Sequence, residues 1–108
     1  MHITVEINAG ACGLGTTLRT HSSDGRNVTL QVESDCPRVA ALGAELTCLD
    51  AFEQVLLKPL IETTPALLSA RHKLHTTCPV PVGILKAVEA SAGLALPAPC
   101  ALTISRTE

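Results

Sequence analysis

Strict alternation of apolar and polar residues in two short segments constrains this fold more than any other feature of the sequence. Residues 2–8 place Ile3, Val5 and Ile7 on one side of the chain, and residues 27–33 repeat the pattern. A period of two residues is typical of a β-strand with one buried face, whereas an amphipathic helix has a period near 3.6. Both segments are therefore predicted to be half-buried strands.

A third strand and a turn connect these two segments. Residues 16–22 are β-prone, and Ser23-Asp24-Gly25-Arg26 carries the Asp-Gly pair that is typical of a tight hairpin. Consecutive strands joined by short turns pair with one another. The first third of the chain is therefore predicted to form a three-stranded antiparallel meander.

Helical spacing replaces alternation after the third strand. Apolar residues recur every three or four positions after Cys36-Pro37, and a second helix is predicted after Asp50. The clearest helix is predicted from Pro79 to about Ala92. Proline suits the first turn of a helix, where its missing N–H group is not needed.

Alternation returns near the C-terminus and predicts a final strand. Cys100, Leu102 and Ile104 fall on one side of this segment, which places Cys100 in the expected core. No linker or repeat divides the chain, so residues 1–108 are expected to form a single domain. The predicted fold class is α+β, a three-stranded antiparallel meander followed by helices and a C-terminal strand, with the helices packed on one face of the sheet.

Composition excludes two classes of partner. The formal net charge is −2 and Phe52 is the sole aromatic residue, so the chain lacks the basic surface and the stacking side chains of nucleic-acid-binding proteins. No stretch approaches the roughly 18 apolar residues of a membrane span. With no export signal at the N-terminus, the chain is expected to be cytoplasmic, where thiols stay reduced. Its five cysteines are accordingly expected to be free thiols or metal ligands.

Three of these cysteines are candidates for one shared site. Cys36 and Cys78 each precede a proline, so their thiols are expected at helix N-termini, where the positive end of the helix dipole favours thiolate. Cys12 lies in a glycine-rich turn before the second strand. A meander brings the start of strand two and the end of strand three to the same edge, and Cys78 joins them if its helix docks there. Convergent thiolates are typical of zinc and iron–sulfur sites, and His75 is a candidate fourth ligand.

The order of these features resembles the U-type iron–sulfur cluster scaffold family. In both, a Cys-Gly turn (here Gly10-Ala11-Cys12-Gly13) precedes two hairpin strands, and two later cysteines open helices. Thr76-Thr77-Cys78-Pro79 is also similar to the Thr-Ser-Cys-Pro element of the small TSCPD domain. The resemblance spans roughly residues 9–92. It implies that Cys12, Cys36 and Cys78 form a metal or cluster site, and that a protein partner takes part in cluster assembly or transfer.

Two other functions stay open at this point. Cys36 or Cys78 could serve as a redox thiol or a nucleophile activated by a helix N-terminus. Alternatively, the chain could be a non-catalytic interaction module whose cysteines only cap and pack, as a structural Cys48 between helices would. No Ser-His-Asp spacing or carboxylate pair points to an enzyme. Zinc and an iron–sulfur cluster suit the cysteines equally well.

Overall fold

The computed structural model describes residues 1–108 and contains a four-stranded antiparallel sheet with helices on one face. Its first three strands are β1 (His2–Asn8), β2 (Gly15–His21) and β3 (Asn27–Ser34). Each strand pairs antiparallel with the next one along the chain. The meander predicted from alternation is confirmed.

The fourth strand is β4 (Cys48–Asp50), which pairs with the start of β3. Residues 92–108 contain neither helix nor strand, and Cys100, Leu102 and Ile104 are exposed. The prediction of a C-terminal strand with Cys100 in the core is therefore wrong, because alternation makes a segment suitable for a sheet without supplying a neighbour for its hydrogen bonds. β4 was not predicted, because three residues are too few to display alternation.

The chain has three α-helices: α1 (Pro37–Glu45), α2 (Thr64–Arg71) and α3 (Val80–Ser91). α1 and α3 cover one face of the sheet, and α2 packs against both of them. The helix predicted from Pro79 begins one residue later, since Pro79 itself is the N-cap. A π-helical turn, Phe52–Leu57, replaces the helix predicted after Asp50, and a 3₁₀ turn follows at Leu60–Glu62. No helix combines the length and the apolar character that crossing a membrane requires.

The core lies between the inner face of the sheet and the helices. Leu18 of β2, Val39 of α1 and Ile84 of α3 are each no more than 2% exposed. Burial of such aliphatic side chains stabilises the fold by about 1.5–3 kcal/mol each. The outer face of the sheet is polar, and Arg19 and Glu33 form a salt bridge there with an N–O distance of 2.9 Å.

The helices α1 and α3 both begin at the same end of the sheet. α1 starts directly after β3 and packs over it, whereas α3 packs over β1 and β2. Gly83, near the start of α3, lies against the Ile7 side chain near the end of β1. At the other end of α3, the Ala92 carbonyl lies beside Gly25 in the β2–β3 turn. The N-termini of both helices therefore lie at the end of the sheet that carries the β1–β2 turn.

Candidate functional site

The three cysteines predicted to share a site lie at this end of the sheet, which we call the cysteine end. Cys12 is in the β1–β2 turn, Cys36 precedes α1, and Cys78 precedes Pro79 and α3. Antiparallel pairing brings the β1–β2 turn beside the end of β3, and the docking of α3 brings its N-terminus there too. Three separate elements thus carry one cysteine each to the same end.

Cys12 is exposed in a turn built by two glycines. Gly10 and Gly13 have φ values of +82° and +71°, in the left-handed region that favours glycine. The Gly13 amide donates to the Gly10 carbonyl at 2.9 Å, and the Gly10 amide donates to Asn8 Oδ1 at 3.0 Å. No atom lies within 4 Å of the position a Cβ would take at either glycine. The turn therefore presents Cys12 to solvent without packing against a neighbouring element.

Cys36 is the N-cap residue of α1, as the Cys-Pro step predicts. Its φ and ψ are −84° and 119°, and its carbonyl accepts a hydrogen bond from the Ala40 amide at 2.9 Å. The Cys36 amide donates to Ser34 Oγ at 3.1 Å, and that hydroxyl shares a 2.8 Å hydrogen bond with Thr16 Oγ1. The side chain makes no capping hydrogen bond and packs half-buried against the core. These hydrogen bonds fix the backbone of Cys36, and its thiol takes no part in capping the helix.

Cys78 lies one residue outside the N-cap of α3. Its amide donates to the His75 carbonyl at 3.0 Å, which closes a turn just before the helix. The first helical hydrogen bond runs from the Gly83 amide to the Pro79 carbonyl at 3.0 Å. The Cys78 side chain is half-buried against the core, whereas His75 is exposed.

The side chains at the cysteine end are not grouped around a metal position. No three His, Cys, Asp or Glu residues in the structure are placed so that they could hold a metal ion. Cys36 and Cys78 pack against the same hydrophobic core, while Cys12 and His75 face solvent. The fold brings the predicted ligands to one end of the sheet but leaves them apart.

The other two cysteines belong to elements that do not form this end. Cys48 begins β4, where it pairs with Thr29 near the start of β3, and it is exposed. As predicted, it lies between helical segments, since β4 separates α1 from the π-helical turn. Cys100 is exposed in the irregular C-terminal segment. Both thiols are free and serve as matched controls for the cysteine end.

Polar contacts tie the loop between α2 and α3 to α1. Arg38 Nη1 donates to the Lys73 carbonyl at 2.7 Å. Glu45 accepts hydrogen bonds from His72 and, at 2.9 Å, from Arg71. The hydrogen bond from His72, with the nearby charge of Arg71, holds the pKa of the Glu45 carboxyl below its usual range. The loop that precedes Cys78 is therefore anchored at its α2 side.

An open depression beside the β1–β2 turn was not anticipated from the sequence. It has a volume of about 740 Å³, and Ile7 is its single hydrophobic lining residue. Glu6, Glu33 and Asp35 contribute carboxylates, and Asp35 Oδ2 accepts a hydrogen bond from the Gly15 amide at 3.3 Å. The signal was present in the alternation, since Glu6 and Glu33 occupy polar positions of their strands. This surface gives the outer face an acidic rim next to the cysteine end.

Comparison with known proteins gives one family match. Residues 3–104 match the model of a Family of unknown function (DUF6951). No curated protein and no solved structure matches the chain. The matched region includes all three helices, the cysteine end and most of the irregular C-terminal segment. The chain therefore belongs to the DUF6951 family, whose function is unknown.

Proposed function

We propose that this chain is a metal- or iron–sulfur-cluster-binding protein whose ligands are Cys12, Cys36 and Cys78, with His75 as a fourth. The observation that supports the proposal is that three separate elements carry these cysteines to one end of the sheet. Thiolate is the ligand that zinc and iron–sulfur clusters have in common. The proposal therefore concerns the thiolate site, and it leaves zinc and a cluster as alternatives.

Binding requires a movement of the β1–β2 turn, because the three thiols are not grouped in the structure. Cys36 and Cys78 already lie half-buried against the core, so the exposed Cys12 is the ligand that has to approach. Gly10 and Gly13 give the turn backbone freedom, and the space around them is open. Metal sites commonly form together with local folding, since binding free energy offsets the cost of ordering. We expect metal to order this turn.

The electrostatic surroundings contain opposing contributions. Thiolates around one metal concentrate negative charge, which the positive N-terminal ends of α1 and α3 offset by about 0.3–1 kcal/mol per charge. The carboxylates of Glu6, Glu33 and Asp35 lie on the outer face and oppose this effect. A cationic metal resolves the conflict, because it neutralises the thiolates directly.

Anaerobic purification followed by elemental analysis and a visible spectrum tests the proposal. Zinc or iron is expected in stoichiometric amount, with visible absorption if the metal is in a cluster. Replacement of Cys12, Cys36 or Cys78 by Ser is expected to remove the metal in each case. The matched controls Cys48→Ser and Cys100→Ser are expected to retain it.

Two results would overturn the proposal. The first is a protein that carries no metal after anaerobic purification and takes up neither zinc nor iron. The second is metal loss that is as large in the control variants as in the three cysteine-end variants. His75→Ala tests the fourth ligand separately, with weaker binding as the expected result and unchanged binding removing His75 from the ligand set.

The proposal also covers the cellular location of the chain and its protein partner. Free thiolate ligands suit a compartment in which thiols stay reduced, which favours the cytoplasm. If the site holds a cluster, a second protein has to supply or receive it. A protein partner in cluster assembly or transfer is therefore part of the proposal, and the resemblance to the U-type scaffold family remains a prediction.

A second candidate function, thiol chemistry without a metal, is favoured by the position of Cys36. This residue caps α1 while its thiol makes no capping hydrogen bond, so the sulfur lies at a helix N-terminus with no competing partner there. Under this alternative, Cys36 reacts with an alkylating reagent at neutral pH much faster than Cys48 and Cys100. Equal rates at all accessible thiols would remove the alternative.

A further inference from the structure

The strand β1 forms an edge of the sheet and has no partner on its outer side. The Ser22 amide donates to the Met1 carbonyl, and the Met1 amino group donates to the Ser22 carbonyl. Bonded and non-bonded residues alternate along an antiparallel pair, so the odd-numbered residues of β1 bond to β2. The backbone N–H and C=O groups of Thr4 and Glu6 therefore point away from the sheet.

The two faces of this edge differ in character. Ile3, Val5 and Ile7 are half-buried on the side that faces the helices, so part of their apolar surface stays open to solvent. Thr4 and Glu6 are exposed on the outer face. A strand added at this edge must therefore be apolar towards the helices and polar towards the outer face.

The C-terminal segment, residues 100–105, has this pattern and no partner of its own. Leu102 and Ile104 are 87% and 93% exposed, which makes them the two most exposed large hydrophobic side chains of the chain. Thr103 and Ser105 alternate with them. The family match extends to residue 104, so this segment belongs to the sequence that the family shares.

The chain is arranged so that this segment projects beyond its own domain. α3 ends beside the β2–β3 turn, where the Ala92 carbonyl lies near Gly25. Pro97 and Pro99 then restrict the backbone of the connection, and the Ala98 amide donates to the Leu96 carbonyl at 2.8 Å. The molecule measures 48 × 27 × 24 Å, although its core is a single small sheet with its helices. The exposed segment that follows this connection is available to another molecule.

We propose that residues 100–105 of one chain pair as an added strand with the outer edge of β1 in a second copy, and that the exchange is reciprocal. Leu102 and Ile104 then cover the half-buried Ile3, Val5 and Ile7, while the polar residues of the segment face outward. Added strands of this kind gain main-chain hydrogen bonds along the edge, and alternate side chains give specificity. Of the two edge strands, β4 has only three residues, whereas β1 has seven. Each chain therefore offers one long edge and one unpaired segment, and reciprocal pairing of two copies closes a two-fold dimer.

Sedimentation velocity of the 108-residue chain, in reducing agent to prevent disulfide dimers, tests this proposal. The wild type is expected to sediment as a dimer at micromolar concentration. Leu102→Glu with Ile104→Glu places charge on the covered face and is expected to weaken the dimer at least tenfold. Thr103→Glu, on the opposite face of the same segment, is the matched control and is expected to leave the dimer intact.

Thr4→Pro blocks the other half of the proposed contact. It removes an N–H group that points away from β2, so the existing ladder is expected to keep its hydrogen bonds. The variant is expected to be a folded monomer, with folding checked by circular dichroism. If Thr4→Pro does not fold, Thr4 replaced by N-methylated threonine through chemical ligation removes the same hydrogen bond without the proline ring.

A mixture of the two variants distinguishes exchange from pairing within one chain. The Thr4→Pro chain keeps a normal C-terminal segment, and the Leu102→Glu, Ile104→Glu chain keeps a normal edge. At a concentration where each variant alone is monomeric, reciprocal exchange predicts that the two variants form a 1:1 heterodimer when mixed, because one contact remains intact. Three results would each overturn the proposal. They are a wild type that stays monomeric even at 100 times the micromolar concentration, a dimer that these changes do not affect, and a mixture in which no heterodimer forms.

Discussion

A close approach of α1 to the sheet leads to a sharp prediction for Gly43. This residue of α1 lies directly over Val32 of β3. A Cβ added at Gly43 would lie 2.5 Å from Val32 Cβ, and 3.0 and 3.2 Å from its two methyl carbons. Carbon atoms prefer separations of about 3.5–4.0 Å, so the new methyl group is about 1 Å too close. Val32 Cβ is bonded to the backbone, and no side-chain rotation can move it.

Gly43→Ala is therefore expected to lower the free energy of unfolding. Alanine in place of glycine inside a helix stabilises by about 1 kcal/mol. Overpacking costs about 1–3 kcal/mol, and we take the upper half of that range because α1 has to lift from β3. The expected net loss is about 1–2 kcal/mol. Urea unfolding followed by circular dichroism measures it, and a variant at least as stable as the wild type would refute the reasoning.

Gly83→Ala is the matched control for this prediction. An added Cβ there would lie 2.3 Å from Ile7 Cδ1, which is the far end of a half-buried side chain on the edge strand. Because Cδ1 can rotate away, the helix-propensity gain and the packing cost nearly cancel, and a change close to zero is expected. Adding Val32→Ala to Gly43→Ala provides a second check. It is expected to restore little stability, since the closest atom, Val32 Cβ, remains.

Three further predictions concern polar side chains. Gln54 is 4% exposed, and its amide both donates to and accepts from the N-terminus of α2. Gln54→Leu leaves these groups unpaired and is expected to lower the free energy of unfolding by about 1–3 kcal/mol in urea unfolding. Hydrogen bonds, above all from the Arg26 amide, hold the pKa of Asp24 well below its usual range. A carboxylate with a lowered folded pKa stabilises the fold above its unfolded pKa of about 4 and loses that effect as the pH falls, so Asp24→Asn is expected to flatten the acid side of the stability curve. In an NMR titration, His72→Ala is expected to raise the pKa of Glu45 towards its usual value, and an unchanged titration would contradict the structure.

The meander and the helix starts were predictable because their signals are local. Alternation fixes which side of β1 and β3 faces the core, and Asp24 accepts hydrogen bonds from the backbone of the turn that it was expected to make. Pro37 begins α1 as expected. The C-terminal strand was not predictable in the same way, because a strand needs a hydrogen-bonding neighbour as well as a pattern. The same limit hid β4, whose three residues depend on pairing with β3.

In the candidate site, too, the placement of the cysteines was predictable from the sequence, whereas the grouping of their thiols was not. Topology alone predicted that Cys12 and Cys36 would share one end of the sheet, and the docking of α3 adds Cys78. Whether three thiols meet depends on side-chain packing and on the conformation of a glycine turn. Neither leaves a periodic signal in the sequence. The exposure of Cys12 and the half-burial of Cys36 and Cys78 emerge only once the helices are packed.

The sulfur coordination of a bound metal tests the central proposal most directly. X-ray absorption of the anaerobically purified or zinc-loaded chain counts the sulfur ligands around the metal. With zinc, the proposal predicts three sulfur atoms at about 2.3 Å, and it predicts that Cys12→Ser loses this zinc–sulfur shell. The Cys48→Ser spectrum is expected to match the wild type. A shell of oxygen and nitrogen ligands, or a sulfur count that Cys12→Ser leaves unchanged, would contradict the proposal.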